Sequence, residues 1–401
     1  FSPEHLKIME SSMEIYKQVG GHAITTSIVE EAWSGQTYSA NDVHYPSMIK
    51  WTKNSDGSFS WDYTDFDAWV SFCKGMGIGD KIVLYSIAPW NNAIGYWENG
   101  TLKYQSFSLN NAADQNIWKS FIRDLITHLM EKGWFDDAYM GIDERGFSAA
   151  AFDLIDSVRN IHDIPLKTAG AMDNFVNKLD LALRVTDLNV GDTAAAEHPE
   201  EFAELLEARE AKGYRTTLYS CTEHQPGQFS LSAPVESYWT VLNAGKMETA
   251  GLLRWAYDAW VADPLRDATH NSFEPGDCFL IYPDEKTAEN PTSKKSVRLE
   301  RLAQGVRDVN KLMLMEKEIP SLVADVDAVY ANIQYALRTS RSYLNGSQIA
   351  ALAAETAAFQ EDLDTLTEKY IALKAGGTDQ VESIAIQEGE SMELHPGDNA
   401  Q

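Results

Sequence analysis

The chain has 401 residues, enough for one large domain with an appendage or for two domains. Apolar residues make up 44% of it and aromatic residues 11%, which is the composition of a folded globular protein. The formal net charge of -27 argues against nucleic acid as a partner, because a phosphate backbone requires clusters of Lys and Arg. The same charge argues against an anionic membrane surface, whereas an uncharged sugar would not be repelled.

The sequence gives no sign of a metal site, another cofactor or a membrane span. The cysteines are too scattered for a disulfide framework or a zinc site, so we expect free thiols at Cys73, Cys221 and Cys278. His22, Glu30 and Glu31 lack the spacing of metal ligands, and we predict no metal and no cofactor. No stretch reaches the roughly 18 consecutive apolar residues of a membrane helix, so we expect no membrane insertion.

Short β-rich runs alternate with helical patterns over most of the chain. The predicted strands are "HAITTSIV" (from His22), "KIVLYSIA" (from Lys81), "AYMGI" (from Ala138), "PLKTAG" (from Pro165), "LALRVTDL" (from Leu181), "YRTTLYS" (from Tyr214), "GLLRWAY" (from Gly251) and "CFLIYP" (from Cys278). Helical stretches between them, two of which close at Gly133 and Gly213, complete the units. About eight strand–helix units over roughly 300 residues predict a (β/α)8 TIM-type barrel. A doubly wound open sheet is the second choice, but no Gly-rich nucleotide fingerprint follows any strand.

Two insertions and a C-terminal region decorate this barrel. Asp56-Gly57 and Asn99-Gly100 each stand between alternating segments and predict β-hairpins, which either form the rim of a site or are structural decoration. We predict a catalytic barrel over residues 1–319 and an α-helical hairpin over 320–375, where Ala- and Leu-rich helical patterns appear. An acidic, flexible tail is predicted over 376–401.

Asp143 and Glu144 directly follow the apolar run "AYMGI". In a barrel this position is the C-terminal end of a strand, the face that carries catalytic residues. Two carboxylates are the usual equipment for cleaving a glycosidic bond, one as acid and one ionised. The alternative is a solvated loop pair in which Asp143 binds Arg145 or caps the next helix, and the dipeptide alone does not exclude it.

Aromatic residues at other strand ends favour the glycosidase interpretation. Aromatic rings offer flat apolar faces to the C–H side of a sugar and a polar edge to its hydroxyls. The candidate substrate-binding residues are Trp90, Tyr219, Trp255, Tyr257, Trp260 and, before Tyr45-Pro46, His44. Packing at the barrel rim explains Tyr219 equally well, packing under the next loop is the alternative for Trp260, and a lone histidine such as His44 is more often structural.

Several ordered motifs make the resemblance specific. They are "HYPSMIKW", "YMGIDERG", "LYSCTEHQPGQFSLSAPVES", "GLLRWAYDAWVADPLRDATH", "GDCFLIYP" and "SVRLERLAQGVRDVNKL". Together, from about Gly21 to Leu314, they resemble the catalytic domain of glycoside hydrolase family 123, a family of β-N-acetylgalactosaminidases with a (β/α)8 barrel. The resemblance implies that Asp143 and Glu144 are the adjacent catalytic pair of this family.

The resemblance also implies a substrate and a mechanism. The expected activity is retaining, exo-acting hydrolysis of terminal β-linked N-acetylgalactosamine (GalNAc) on a glycan or glycoconjugate. The substrate's own 2-acetamido carbonyl would attack the anomeric carbon to give an oxazolinium-type intermediate. Glu144 would act as acid and then base, while ionised Asp143 would orient the acetamido N–H. A β-N-acetylglucosaminidase-type hexosaminidase and a catalytically silent carbohydrate-binding barrel remain the alternatives.

Overall fold

The computed structural model of the protein describes residues 1–36, 44–220, 222, 224–336, 342–376 and 393–396. In this part of the chain the strands are β1 (Ala23–Ser27), β2 (Lys50–Lys53), β3 (Phe59–Asp62), β4 (Lys81–Tyr85), β5 (Ala93–Glu98), β6 (Thr101–Ser106), β7 (Ala138–Ile142), β8 (Lys167–Met172), β9 (Asp187–Gly191), β10 (Arg215–Tyr219), β11 (Gly251–Arg254), β12 (Ile281–Tyr282), β13 (Lys294–Lys295) and β14 (Glu393–Pro396). The α-helices are α1 (Pro3–Gln18), α2 (Thr64–Gly75), α3 (Ala112–Lys132), α4 (Ala149–Asp156), α5 (Leu179–Ala182), α6 (Asp192–Glu197), α7 (Pro199–Glu210), α8 (Pro234–Lys246), α9 (Val297–Glu318), α10 (Val323–Tyr330) and α11 (Gly346–Gly376).

A curled parallel β-sheet forms the centre of the fold. Strands β1, β4, β7, β8, β9, β10 and β11 lie side by side in that order, each parallel to the next. Helices connect successive strands, so the sheet is built from crossover units of the kind that the alternating sequence pattern predicts. The α/β class and the parallel sheet are therefore confirmed. They place the C-terminal ends of seven strands along one rim.

The run "CFLIYP" does not supply an eighth strand of this sheet, contrary to the sequence-based assignment. β12 pairs with β13 in antiparallel fashion, outside the main sheet. Cys278 and Phe279 pack instead into a small separate apolar cluster with Ala256, Ala259 and Val261. The position beside β11 is taken by β14, which pairs with it in parallel. Since β14 comes from the predicted tail, the eighth position is filled from a distant part of the chain.

Both predicted hairpins are present and join into one accessory sheet. β2 pairs with β3 across the Asp56-Gly57 turn, and β5 pairs with β6 across Asn99-Gly100. Gly57 and Gly100 have φ angles of 86° and 77°, which glycine adopts without steric cost. β2 and β5 run parallel, giving the order β3-β2-β5-β6. All four strands of this accessory sheet come from the part of the sequence between β1 and α3.

The C-terminal region contains two helices, α10 and α11, that contact each other and pack against α8. Tyr330 of α10 meets Phe359 of α11 with ring centroids 5.8 Å apart, and Trp239 of α8 donates to Glu355 of α11 at 3.0 Å. Residues 377–392 and 397–401 of the predicted tail lie outside the described residues, and the domain boundaries stay predictions. Within the described ranges, no helix combines the length and apolar character that a membrane span requires. Cys73 and Cys278 are buried free thiols, and Cys221 lies outside the described residues.

Candidate active site

Asp143 and Glu144 are the first two residues beyond β7, at the rim where the parallel strands end. Their position follows from the local sequence: the apolar run ends at Ile142, and the Gly146 amide then donates to the Asp143 carbonyl at 2.6 Å to close a turn. The next helix, α4, is capped by the Ser148 hydroxyl and not by Asp143. Arg145 has no carboxylate within ion-pair distance in the described part of the chain. Asp143 therefore neither pairs with Arg145 nor caps the next helix, and both structural explanations of the carboxylate pair fail.

Asp143 is held in place by three neutral donors. The Tyr85 hydroxyl donates to its Oδ2 at 2.5 Å, and the Trp90 Nε1 donates to the same oxygen at 2.7 Å. The Glu144 amide donates to Oδ1 at 2.8 Å. Tyr85 is itself stacked on Trp33, with ring centroids 4.4 Å apart and planes 7° from parallel. These contacts fix the carboxylate without placing an opposite charge beside it.

Glu144 has a different partner from another strand. The Tyr219 hydroxyl donates to Glu144 Oε1 at 2.6 Å, and Tyr219 is the last residue of β10. The two carboxylates are thus oriented separately, Asp143 from the β4 side and Glu144 from the β10 side. Such separate orientation suits two acids that perform different chemical roles.

A cavity of about 280 Å³ opens in front of both carboxylates. Each of the seven parallel strands contributes to its wall, and Lys81, Val83 and Tyr85 show the alternation of inward-facing side chains along β4. The aromatic part of the wall comes from Tyr85, Trp90, Tyr219, Trp255 and Phe273. A concave, largely aromatic and aliphatic chamber with two carboxylates at one end has the form of a small-molecule site.

Comparison with known proteins identifies the family. Residues 1–315 match the sequence profile described as the glycoside hydrolase 123 catalytic domain. The chain belongs to glycoside hydrolase family 123. The structure is also similar to a solved family 123 glycoside hydrolase from Clostridium perfringens that was described for glycolipid glycan hydrolysis. The TM-score is 0.85 at 29% sequence identity, over 94% of this chain and 67% of that chain. No protein of curated function matches the sequence.

Membership of family 123 confirms the resemblance drawn from the sequence motifs and makes the chain a glycoside hydrolase by family. The matched range contains Asp143, Glu144 and every other residue that lines the cavity in front of them. It ends within α9, so α10 and α11 lie beyond the part that defines the family.

The structure brings together some of the predicted substrate-binding residues of this family 123 chain. Trp90, Tyr219 and Trp255 line the cavity with the carboxylates. Trp90 and Tyr219 each bind one carboxylate, whereas the sequence analysis assigned them only to the sugar. Tyr219 ends β10, Trp255 directly follows β11, and Trp90 lies in the loop after β4, so the three aromatic residues all lie at or just beyond the C-terminal ends of strands.

Three other candidates lie outside the residues that line the cavity. The Tyr257 hydroxyl donates to the Ser12 carbonyl at 2.7 Å, on the side of α1. Trp260 Nε1 donates to the Ile281 carbonyl at 2.8 Å. The imidazole of His44 is 2.9 Å from Glu30 Oε2 and 3.2 Å from Glu31 Oε1. A role of these three in substrate binding stays a prediction.

Burial shapes the electrostatics around His44. Burial raises the pKa of Glu30, against the lowering effect of the Ser47 amide and of His44. This histidine–carboxylate cluster lacks the form of a metal centre, and no group of His, Cys, Asp and Glu among the described residues could hold a metal ion. Its contacts explain His44 as a partner of two glutamates.

The sequence analysis missed Tyr85, which makes the shortest contact with Asp143. It also missed Asn189 of β9 and Phe273, both in the cavity wall. The signal for Tyr85 was available, since it ends the predicted strand β4, as Tyr219 ends β10. Because parallel strands end at one rim, every polar or aromatic residue at the end of a predicted strand is a candidate site residue.

Proposed function

We propose that this chain is a retaining exo-glycosidase that releases terminal β-linked GalNAc from a glycan or glycoconjugate by substrate-assisted catalysis. The observation that carries the proposal is the pair Asp143 and Glu144 on one short turn in front of a cavity of about 280 Å³, with Asp143 bound by three neutral donors and Glu144 by the Tyr219 hydroxyl. Family membership supports the hydrolase class, and the related clostridial enzyme is described for glycolipid glycans.

Adjacent carboxylates favour a nucleophile supplied by the substrate. A protein nucleophile and the acid that opposes it must approach the anomeric carbon from opposite sides of the sugar, with carboxyl groups about 5–5.5 Å apart across the bond. Neighbours on one turn do not need to meet this requirement when the 2-acetamido carbonyl attacks instead. The product of that attack is an oxazolinium-type ring, which water opens with retained configuration.

In this mechanism Glu144 protonates the departing oxygen and then takes a proton from water. The hydroxyl of Tyr219 donates to Glu144 Oε1 and orients this carboxyl group in the wall of the cavity. Asp143 accepts the acetamido N–H and stabilises the positive charge of the cyclic intermediate. Tyr85 and Trp90 both bind Oδ2, and Oδ1 accepts only the Glu144 amide in the described structure, so Oδ1 retains a lone pair for the substrate.

The surrounding fold fits a sugar of this kind. Trp90 and Trp255 present aromatic surface to the cavity. We further propose that the curled sheet closes into a complete (β/α)8 barrel, with β14 in the eighth position beside β11. The cavity would then lie on the barrel axis below the catalytic rim.

Hydrolysis of aryl β-glycosides of GalNAc, N-acetylglucosamine (GlcNAc) and galactose, measured side by side, tests the proposal. We expect cleavage of the GalNAc glycoside, none of the galactoside that lacks the acetamide, and competitive inhibition by a thiazoline analogue of GalNAc. Preferential cleavage of the GlcNAc glycoside would change the sugar assignment and keep the mechanism. Brisk hydrolysis of the galactoside would contradict the mechanism, and sugar binding without any hydrolysis would identify a silent carbohydrate-binding protein.

A further inference from the structure

A second, smaller cavity of about 100 Å³ lies beside the main one. Trp90 and Asp143 line both cavities, whereas Asn92 and Arg145 line the smaller one. The proposed mechanism gives no task to Asn92 or Arg145. Their position next to a catalytic carboxylate raises the question of what they bind.

Arg145 is a cation with spare hydrogen-bonding capacity. Its guanidinium lies 3.9 Å from the centroid of the Trp90 ring, and its Nη2 donates to the Trp90 carbonyl at 2.9 Å. No carboxylate of the described residues forms an ion pair with it, although the chain contains 60 acidic residues and 33 Lys and Arg. A guanidinium has five N–H donors in a planar fork that matches carboxylate and sulfate oxygens. Contact with Trp90 uses one donor and fixes the plane of the group.

Asn92 adds an uncharged donor to the same cavity. Its backbone has a φ of 50°, a left-handed conformation that asparagine tolerates, and this turn is held by the bond from the Asn92 amide to the Pro89 carbonyl at 3.0 Å. The side-chain amide forms no hydrogen bond with the part of the chain that the structure describes. Asp143, the acidic member of the wall, already accepts three hydrogen bonds through its two oxygens.

We propose that Arg145 and Asn92 form a subsite for an anionic group of the substrate, a sulfate ester or a carboxylate. The net charge of -27 repels such a substrate, and a local cation offsets that repulsion over the short range where salt does not screen it. The inference rests on the proposed glycosidase function. The smaller cavity shares Asp143 with the main one, and Asp143 holds the acetamide in that mechanism. The anionic group is therefore expected on the GalNAc unit that is released, with the adjoining sugar of the glycan as the second source.

Matched pairs of substrates test this subsite. The first pair is nitrophenyl β-GalNAc and its mono-O-sulfates, and the second is a GalNAc–galactose disaccharide with and without sialic acid on the galactose. We expect the ratio of kcat/KM for the charged and neutral members to fall about tenfold or more in Arg145→Gln and in Asn92→Asp. The ratio cancels any general loss of activity from the altered Trp90 contact. The pair that responds identifies the source of the anionic group.

Arg123→Gln is the matched control, because Arg123 is exposed on α3 and its loss changes the net charge equally. Its ratio should equal that of the wild type. An unchanged ratio in Arg145→Gln for every pair would overturn the subsite while leaving the glycosidase function standing. If neither the neutral nor the charged glycosides are cleaved, the proposed function fails. Calorimetric titration with GalNAc and its sulfates then decides: tighter binding of a sulfated sugar that Arg145→Gln removes supports the subsite, and equal binding overturns it.

Discussion

Both ends of the parallel sheet carry charged side chains, but the partners of these charges differ: neutral hydrogen-bond donors at one end and an opposite charge at the other. At the C-terminal ends, Asp143 and Glu144 are held by phenol, indole and amide donors. At the N-terminal ends, Lys81 opens β4 and Asp187 opens β9, and their Nζ and Oδ2 atoms are 2.6 Å apart. The side chains of this ion pair are only 5% and 4% exposed.

The difference separates a reactive arrangement from a structural one. Burial lowers the pKa of Lys81, and Asp187 opposes that shift by favouring the charged ammonium. A buried charge whose partner is removed is strongly destabilising, so the lower pair serves the fold. Neutral donors at the upper rim orient the carboxylates without cancelling their charge, which leaves them able to bind a proton or a developing cation. The same strands thus provide chemistry at one end and stability at the other.

The largest effect is expected for Glu144→Gln at the upper rim. The amide cannot donate a proton to the departing oxygen, so kcat/KM for substrates with basic leaving groups should fall about 10²–10⁴-fold. Activated aryl glycosides should lose much less, because their leaving groups need no protonation. The free energy of unfolding should stay close to the wild-type value, as Tyr219 keeps a hydrogen-bond acceptor. Equal losses on both substrate classes would remove Glu144 from the role of acid.

The next largest effect is expected for Asp187→Asn at the lower end. This change leaves the buried Lys81 ammonium without its carboxylate and should lower the free energy of unfolding by about 3–5 kcal/mol. Urea denaturation measures it. The double variant Lys81→Met/Asp187→Leu removes both charges and should recover most of the loss. If the double variant is as unstable as Asp187→Asn, the charge pair is not the cause.

The sequence predicted best the strands that coincide with a short run of apolar and β-branched residues. β4 and β7 lie inside the runs "KIVLYSIA" and "AYMGI". The run from Leu181 was placed too early, because its first residues belong to the short helix α5 and the strand begins at Asp187. Apolar residues are buried in both conformations, so the pattern does not separate them. The pairing of β14 with β11 joins segments far apart in sequence, and no local pattern encodes it.

The limits of a local sequence pattern also decide which residues of the candidate site could be predicted. Asp143, Tyr219 and Trp90 were found because strand ends of a parallel sheet meet at one rim. Trp255 and Tyr257 both fall in the predicted strand "GLLRWAY", where alternation would place them on one side, but β11 ends at Arg254 and the strand period does not continue through them. Tyr257 turns toward α1 and Trp255 stays in the cavity wall. Residue type marks a candidate, and the end of the strand decides where its side chain lies.

A smaller effect at the upper rim is expected for Tyr85→Phe. The ring still stacks on Trp33, but Asp143 loses a hydrogen bond to a charged oxygen, worth about 1.5–3 kcal/mol. We therefore expect kcat/KM to fall roughly tenfold to a hundredfold. Tyr257→Phe is the matched control, since it also loses one phenolic hydrogen bond, but to the Ser12 carbonyl and outside the residues that line the cavity. A similar fall of kcat/KM in both variants would point to a general loss of packing.

The smallest effect is expected for Trp260→Phe. This variant tests whether Trp260 stabilises the fold or contacts the sugar. The Nε1 of Trp260 donates to the Ile281 carbonyl at 2.8 Å, and this bond anchors the chain after β11 to β12. Its loss should lower the free energy of unfolding by about 1 kcal/mol and leave KM for a β-GalNAc glycoside close to the wild-type value. Trp255→Phe is the paired variant: it removes indole surface from the cavity wall and should raise KM instead. Steady-state kinetics and urea denaturation of both variants measure the two effects. A raised KM in Trp260→Phe alone would place Trp260 in contact with substrate, as the sequence first predicted, and would mean that the bound state draws this segment toward the cavity.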